Sequence, residues 1–298
     1  MMQKTTFQDP DQQEELDRWQ CKDFGSRYED ASTFVSNKTI FVVCGCGRSG
    51  TSLLRVMLDT HSLLVCGPES LLFLPLSIKP EELYKKFEVP LKDLRSWKRR
   101  CASRAEFALH FQEAYLALRE RNIWGDKTSR NIHRLEQIWQ HFPNAKIIHV
   151  VRDPRDVVRS LKTHRKRKVV DGQIVPTGWI QPLDDCIGRW LRAMDDALHF
   201  RGNSNYMEMK YEDLVLDTIS TLTRVCRHVG VHFEEQMLEF HTVTSRSRDA
   251  RLFPQNIEAT QPISTASIGK WKEELMVEEV EEVVRRTHDY AIKLGYTL

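Results

Sequence analysis

The chain has 298 residues, 41% of them hydrophobic and 29% charged, with a net charge of only +2. That length suits one large domain that buries its core without staples, and the composition is that of an ordinary globular protein. The near-neutral balance excludes a global electrostatic case for nucleic acid, so any anion site has to be local.

In chain order, residues 1–36 are polar with mixed charge. They read as an N-terminal extension, helical near Glu14 to Trp19, ahead of a domain over 37–298; the extension is a candidate contributor to a homodimer. Met1–Pro10 has no apolar run, so no secretory leader is expected. The most apolar stretch, near Ser62 to Ile78, is broken by Gly67, Pro68 and Glu69, so no bilayer span is expected. Seven scattered cysteines form no C-x-x-C pair. That pattern favours reduced thiols in the cytoplasm and argues against zinc or any other metal.

Thr39–Cys44 is a short β-branched and apolar run, read as a buried strand. A Gly-rich turn follows, then a helix over Ser52–Leu58. Residues 105–122 and 131–141 read as helical. Lys146–Val151 is the second buried strand, and Asp153-Pro154 opens a helix with Pro in its first turn. Leu183, Ile187, Trp190, Met194 and Ala197 recur at helical spacing over 183–200. Tyr206–Lys210 is a third strand, residues 244–270 a long ordered loop, and Val277 to Leu294 a final helix. Strands separated by long helical stretches predict an α/β fold, a P-loop-type parallel sheet flanked by helices.

Strand, Gly-rich turn and helix is the context that makes a phosphate site, because glycines let the backbone approach an anion and the helix end faces it. Here the turn reads Gly45-Cys46-Gly47-Arg48-Ser49-Gly50-Thr51-Ser52. The triphosphate pattern wants Lys after the last Gly; Thr51 stands there instead. A kinase uses that Lys on the β- and γ-phosphates, so its loss argues against triphosphate chemistry. Arg48 enters from within the loop. A second anchor follows the second strand, where Arg152 and Ser160, eight residues apart, are placed to grip another phosphate by charge-assisted bonds. The plainer reading of that segment is a helix start with surface charge. His164–Lys168 is a basic run, read as a solvated face or as the mouth of an anion site. His149 sits mid-strand and reads as a core histidine.

With both anchors in view, the chain resembles the sulfotransferase family that uses 3′-phosphoadenylyl sulfate (PAPS), closest to its tyrosylprotein and bacterial branches. The resemblance runs over about residues 39–275. It implies that Arg48, Ser49, Gly50, Thr51 and Ser52 bind the 5′-phosphosulfate of the donor and that Arg152 and Ser160 bind its 3′-phosphate. It also implies a catalytic base at Glu69, 21 residues after Arg48, and a catalytic lysine at Lys127, 25 residues before Arg152. Lys127 and Arg48 would offset charge on the transferring group. Tyr211, in Lys210-Tyr211-Glu212-Asp213-Leu214, would approach the adenosine, and Ser267 and Lys270 would belong to a C-terminal loop closing over the donor. The family's hydroxyl before the Lys-Trp pair is Gly269 here, which leaves Ser267 as the candidate. Plainer roles stand beside these: Glu69 capping a helix from Ser70, Lys127 in an exposed turn, Tyr211 in the core. After Glu69, where the tyrosylprotein enzymes carry arginines for acidic peptides, this chain has apolar Leu71–Leu74. The expectation is therefore a small-molecule acceptor of the kind met in biosynthesis. The alternatives are a tyrosylprotein acceptor, a nucleotide-dependent kinase and an inactive donor-binding protein.

Overall fold

The computed structural model describes residues 33–163, 167–170, 173–176, 180–244 and 261–298. The expected helix near Glu14, most of the extension, most of the 244–270 loop and His164–Lys166 of the basic run lie outside these residues. Phe34 and Ser36 are already fastened to the domain: the Phe34 carbonyl is 2.8 Å from His141 Nδ1, and the Ser36 N–H donates to the His141 carbonyl at 2.8 Å.

The elements run β1 (Phe41–Cys44), α1 (Thr51–Asp59), β2 (Leu64–Cys66), α2 (Pro80–Phe87), α3 (Leu91–Arg100), α4 (Arg104–Arg119), β3 (Ile123–Lys127), α5 (Leu135–His141), β4 (Lys146–Val151) and α6 (Pro154–Thr163). There follow β5 (Arg167–Val170), β6 (Gln173–Pro176), α7 (Leu183–Asp195), β7 (Tyr206–Lys210), α8 (Tyr211–Leu216), α9 (Thr218–Val229), α10 (Phe240–Thr244), α11 (Trp271–Glu274) and α12 (Val277–Lys293). Five strands form one sheet in the order β2-β3-β1-β4-β7, with every neighbouring pair parallel. β5 and β6 pair as a separate antiparallel hairpin.

The sheet separates two apolar cores, because successive strand residues point to opposite faces. Val42 and Cys44 face a core with Phe111 of α4, Val158 of α6 and Trp190 of α7. Phe41 and Val43 face another with Leu54 and Met57 of α1 and Val225 of α9. Strands covered on both faces read as continuous apolar runs, which is why β1 and β4 stand out in the sequence. The expected α/β architecture is found, a parallel sheet with helices on both sides. The expected helix over 131–141 starts as a 3-10 turn at Ser129–Arg134, and that over 183–200 breaks after Asp195 into a short 3-10 turn. His149 is fully buried, 2.7 Å from the Tyr206 hydroxyl, and burial pushes its pKa down to about 3. It is a neutral core histidine. The six described cysteines carry free thiols, and burial raises the pKa of Cys44, Cys46 and Cys66.

Candidate active site

Because the five strands are parallel, their carboxyl ends share one edge, the edge where open α/β sheets bind ligands. β1 runs into the Gly-rich loop. β2 ends three residues before Glu69, β3 ends on Lys127, β4 is followed by Arg152 and β7 by Tyr211. A cavity of about 540 Å³ opens along this edge, lined by Arg48, Gly50, Glu69, Lys127, Arg152 and Tyr211 among others. The topology thus gathers positions that lie far apart in sequence.

The loop needs its glycines at two places. Gly45 has φ 146° and Gly50 φ 95°. A Cβ on Gly45 would sit 2.4 Å from the Val150 carbonyl oxygen, and one on Gly50 would sit 2.4 Å from Tyr211 Cδ2. Gly50 is also the N-cap of α1, whose first-turn N–H groups have no side-chain cap. Those donors and the positive helix end are a ready anion site. Arg48 holds a left-handed φ of 73°, an uncommon state for a non-glycine residue. Its Nε donates to Ser160 Oγ at 3.1 Å, and its carbonyl accepts from Arg152 Nη1 at 3.0 Å. The two anchors read from the sequence therefore touch. Arg48 turns toward Ser160, on the side of the second anchor.

Arg152 is held on several sides. Its Nη2 donates to the Ser267 carbonyl at 2.5 Å, its carbonyl accepts from Trp190 Nε1 at 3.2 Å, and its guanidinium lies 4.4 Å from the centre of the Tyr211 ring. One turn on, the buried Asp156 carboxylate accepts from the N–H groups of Gly269 (2.8 Å) and Trp271 (3.2 Å), fastening the C-terminal segment over the cleft. Ser267 and Lys270 both line the cavity. Among the described residues, Arg152 Nε and Ser49 Oγ are buried without a hydrogen-bond partner. A bound phosphate beside Arg152 would supply what its Nε lacks. Thr51 and Ser52 line the cavity, whereas the buried Ser49 and Ser160 are not part of its lining.

Glu69 and Lys127 form an ion pair at 3.1 Å, and Lys127 Nζ also donates to Ser52 Oγ at 3.3 Å. Ser129 Oγ donates to the same Glu69 oxygen at 3.3 Å and is 3.1 Å from Thr51 Oγ1. The carboxylate is thereby tied to the loop. Burial works to raise the Glu69 pKa, but the Lys127 charge and the hydrogen bonds from Lys127 and Ser129 outweigh it, leaving the group below the usual carboxylate range. Those contacts keep it ionised, and its side chain, 40% exposed, is reachable from the cavity. No helix begins at Ser70, Lys127 is 3% exposed rather than in an exposed turn, and Tyr211 is buried with its ring against Gly50 and Arg152.

Sequence reasoning missed Asp126, Ser129 and Asp156. Asp126 is buried and accepts from Ser70 Oγ and from Asn131 Nδ2 (2.9 Å), bridging the neighbours of Glu69 and Lys127 in the chain. Burial pushes its pKa up to about 6 against the pull of those hydrogen bonds. Its one sequence signal is adjacency to Lys127. Elsewhere, Cys101, Glu106 and His110 bring possible metal ligands within 4.8 Å of one another, outside the lining of this cavity. Glu106 is already engaged at the start of α4, accepting from the Ala102 N–H at 2.7 Å.

A phosphate loop without its lysine, joined to a second Arg–Ser anchor, is matched by a family description: the model of the sulfotransferase family covers residues 40–235. The chain belongs to the sulfotransferase family. This sulfotransferase chain is 23% identical over 240 residues to protein-tyrosine sulfotransferase A of Caenorhabditis elegans, an alignment covering 76% of this chain and 59% of that protein. It is 28% identical over 156 residues to an omega-hydroxy-beta-dihydromenaquinone-9 sulfotransferase of Mycobacterium bovis, covering 51% of this chain and 38% of the relative. The chain therefore spans about three-fifths of the first relative's length and less of the second's. The sulfotransferase domain of the Synechococcus PCC 7002 olefin synthase superposes with a TM-score of 0.65 at 22% identity, over 90% of this chain and 98% of that one, and shares its fold.

Proposed function

We propose that the chain moves a sulfuryl group from PAPS to a hydroxyl or amine of a small-molecule acceptor, in the cytoplasm, with residues 37–298 as the catalytic unit. One juxtaposition carries the reading: the Glu69–Lys127 pair stands at the sheet's carboxyl edge beside a phosphate loop that lacks a kinase's lysine. The amides of the 45–52 loop and the hydroxyls of Ser49, Thr51 and Ser52 suit the 5′-phosphosulfate. Arg152, with Arg48 and Ser160 beside it, suits the 3′-phosphate, and the Tyr211 ring offers the adenine a flat partner.

In this reading Glu69 takes the acceptor's proton. The acceptor atom attacks sulfur as the bond from sulfur to the phosphate oxygen breaks, and the electron pair leaves with adenosine 3′,5′-bisphosphate. Lys127 offsets charge on the sulfuryl and bridging oxygens. Positioning and charge stabilisation carry most of such a transfer. The fixed cations Lys127, Arg48 and Arg152 supply the positive charge, so the reading calls on no metal. Lys127 has two duties. Without donor it lowers the basicity of Glu69; drawn toward the donor's oxygens, it leaves Glu69 a stronger base when transfer is due.

The experiment is transfer of label from PAPS to a panel of hydroxylated, amine-bearing and tyrosyl-peptide acceptors. Label on small molecules supports this reading. Label on acidic tyrosyl peptides alone turns it to a tyrosylprotein acceptor, and no transfer with intact donor binding makes the chain an inactive binder.

A further inference from the structure

Away from the sheet edge, the end of α3 and the first turns of α4 bring three metal-binding side chains together. Cys101 is the C-cap of α3, and Glu106 and His110 stand about one turn apart on α4. Residues four apart on a helix share a face. One ligand atom from each of the three lies within 4.8 Å of the other two, and each residue is half-buried. None of them lines the cavity of the candidate active site.

The protein itself holds this corner in shape. Ser103 Oγ accepts from the Glu106 N–H at 3.1 Å, and Glu106 Oε2 accepts from the Ala102 N–H at 2.7 Å. These reciprocal bonds work as a capping box does, and they tie Glu106 to the turn that carries Cys101. The cap uses one carboxylate oxygen of the two. The His110 ring stacks on Trp97 of α3, with centroids 5.6 Å apart and planes at 16°. Glu113 Oε2 lies 4.0 Å from His110 Nδ1, an outer carboxylate of the kind that ligating histidines keep. Capping accounts for Ser103 and Glu106. It gives no task to a thiol and an imidazole gathered at the same point.

We propose that Cys101, Glu106 and His110 bind a zinc ion that clips the end of α3 to α4, with water as the fourth ligand. Thiolate, carboxylate and imidazole are the donors zinc takes. A thiolate selects against magnesium and calcium, which want oxygen alone. Thiolate and carboxylate together carry two negative charges, which match the dication. A tetrahedral ion with bonds of about 2.0–2.3 Å keeps its ligand atoms under about 4 Å apart, so side-chain rotations of about 1 Å close the triad. Burial and the Glu106 charge raise the Cys101 pKa to about 11, against a smaller pull from Arg100. The metal-free site therefore holds a protonated thiol, and zinc displaces that proton to solvent. One cysteine in a C-x4-E-x3-H spacing has no paired-cysteine signature, which is why the sequence argued against zinc. The ion's work is structural, and sulfuryl transfer routes no step through it.

The test uses the full chain, stripped with a chelator under reducing conditions and titrated with cobalt(II) and then zinc. Cobalt should give a thiolate-to-metal charge-transfer band that saturates near one ion per chain, and zinc should bleach it. Cys101→Ser should abolish the band. His110→Phe keeps the ring on Trp97, and Glu106→Gln keeps the cap. Because loss of a mere outer partner costs about 10–100-fold, each of these two should weaken zinc binding by about 100-fold or more. Zinc should raise the melting temperature of the wild type and of none of the three. Should a variant not fold, the wild type alone decides: zinc should shield Cys101 from alkylation, read by peptide mass spectrometry, and its binding should release about one proton, read by calorimetry in buffers of different ionisation heat. The absence of a cobalt band in the wild type overturns the proposal. So does a band that survives Cys101→Ser, zinc affinity indifferent to His110 or Glu106, or a Cys101 that zinc leaves open to alkylation.

Discussion

Glu69 and Lys127 are opposite charges 3.1 Å apart, and each sets the other's chemistry. Glu69→Gln keeps the shape and removes the base. Turnover should fall about 10²- to 10⁴-fold while calorimetric affinity for adenosine 3′,5′-bisphosphate stays nearly unchanged; surviving turnover would remove Glu69 from the base role. Lys127→Met leaves burial without its counter-charge, so the Glu69 pKa should rise. The acid limb of kcat/KM should then move to higher pH, beside a lower rate. Asp126 tests the wall behind the pair. Its folded pKa is raised from 3.8 to about 6, so the folded state binds the extra proton. Stability is full below the unfolded value and is lost as pH rises through that window. The loss is about 3 kcal/mol at most. Urea unfolding across the window should show this decline in the wild type and lack it in Asp126→Asn, the difference cancelling opposite contributions such as that of Glu69. Glu69 and Lys127 were legible as fixed offsets from the phosphate anchors. Asp126 was not, because burial beside Ser70 and Asn131 is a property of the fold, invisible in a string that reads Gly-Asp-Lys.

At the scale of elements, the turn between β1 and α1 is the most constrained piece of the site. Gly50→Ala forces a left-handed residue to carry a Cβ, at about 1–2 kcal/mol, and drives that atom into Tyr211. Donor affinity should drop together with the midpoint of urea unfolding, because the ring that moves also packs on Arg152. An unchanged affinity would separate Tyr211 from the donor site. β1 and β4 were readable as short apolar or β-branched runs, and Tyr206–Lys210 was read as the strand that β7 forms. β2 was missed because it is only three residues long inside a stretch broken by Gly67, Pro68 and Glu69. β3 was missed because it ends on Asp126-Lys127, charged residues that read as a turn until the sheet buries them. The same two strands deliver Glu69 and Lys127. Their positions were therefore inferred from family spacing rather than from local pattern.

For the whole molecule, the parallel sheet explains why one short edge collects anchors from five separate stretches of chain. A fold-class reading from alternating strands and helices captured the architecture, but the strand order that brings β3 beside β1 required the structure. A second cavity, of about 430 Å³, was equally hidden, since its wall joins the turn after β2, α2, the start of α4 and Arg130. What the edge binds is the central claim, and a ligand that binds only the folded state raises its melting temperature. The most direct measurement is the thermal shift of the wild type and Arg152→Ala with adenosine 3′,5′-bisphosphate and, separately, with ATP and magnesium. If the edge binds the sulfuryl donor, the bisphosphate gives a clear rise, ATP–magnesium gives no comparable rise, and Arg152→Ala loses most of the bisphosphate effect; stabilisation by ATP–magnesium alone, or a bisphosphate shift indifferent to Arg152, would rule that binding out.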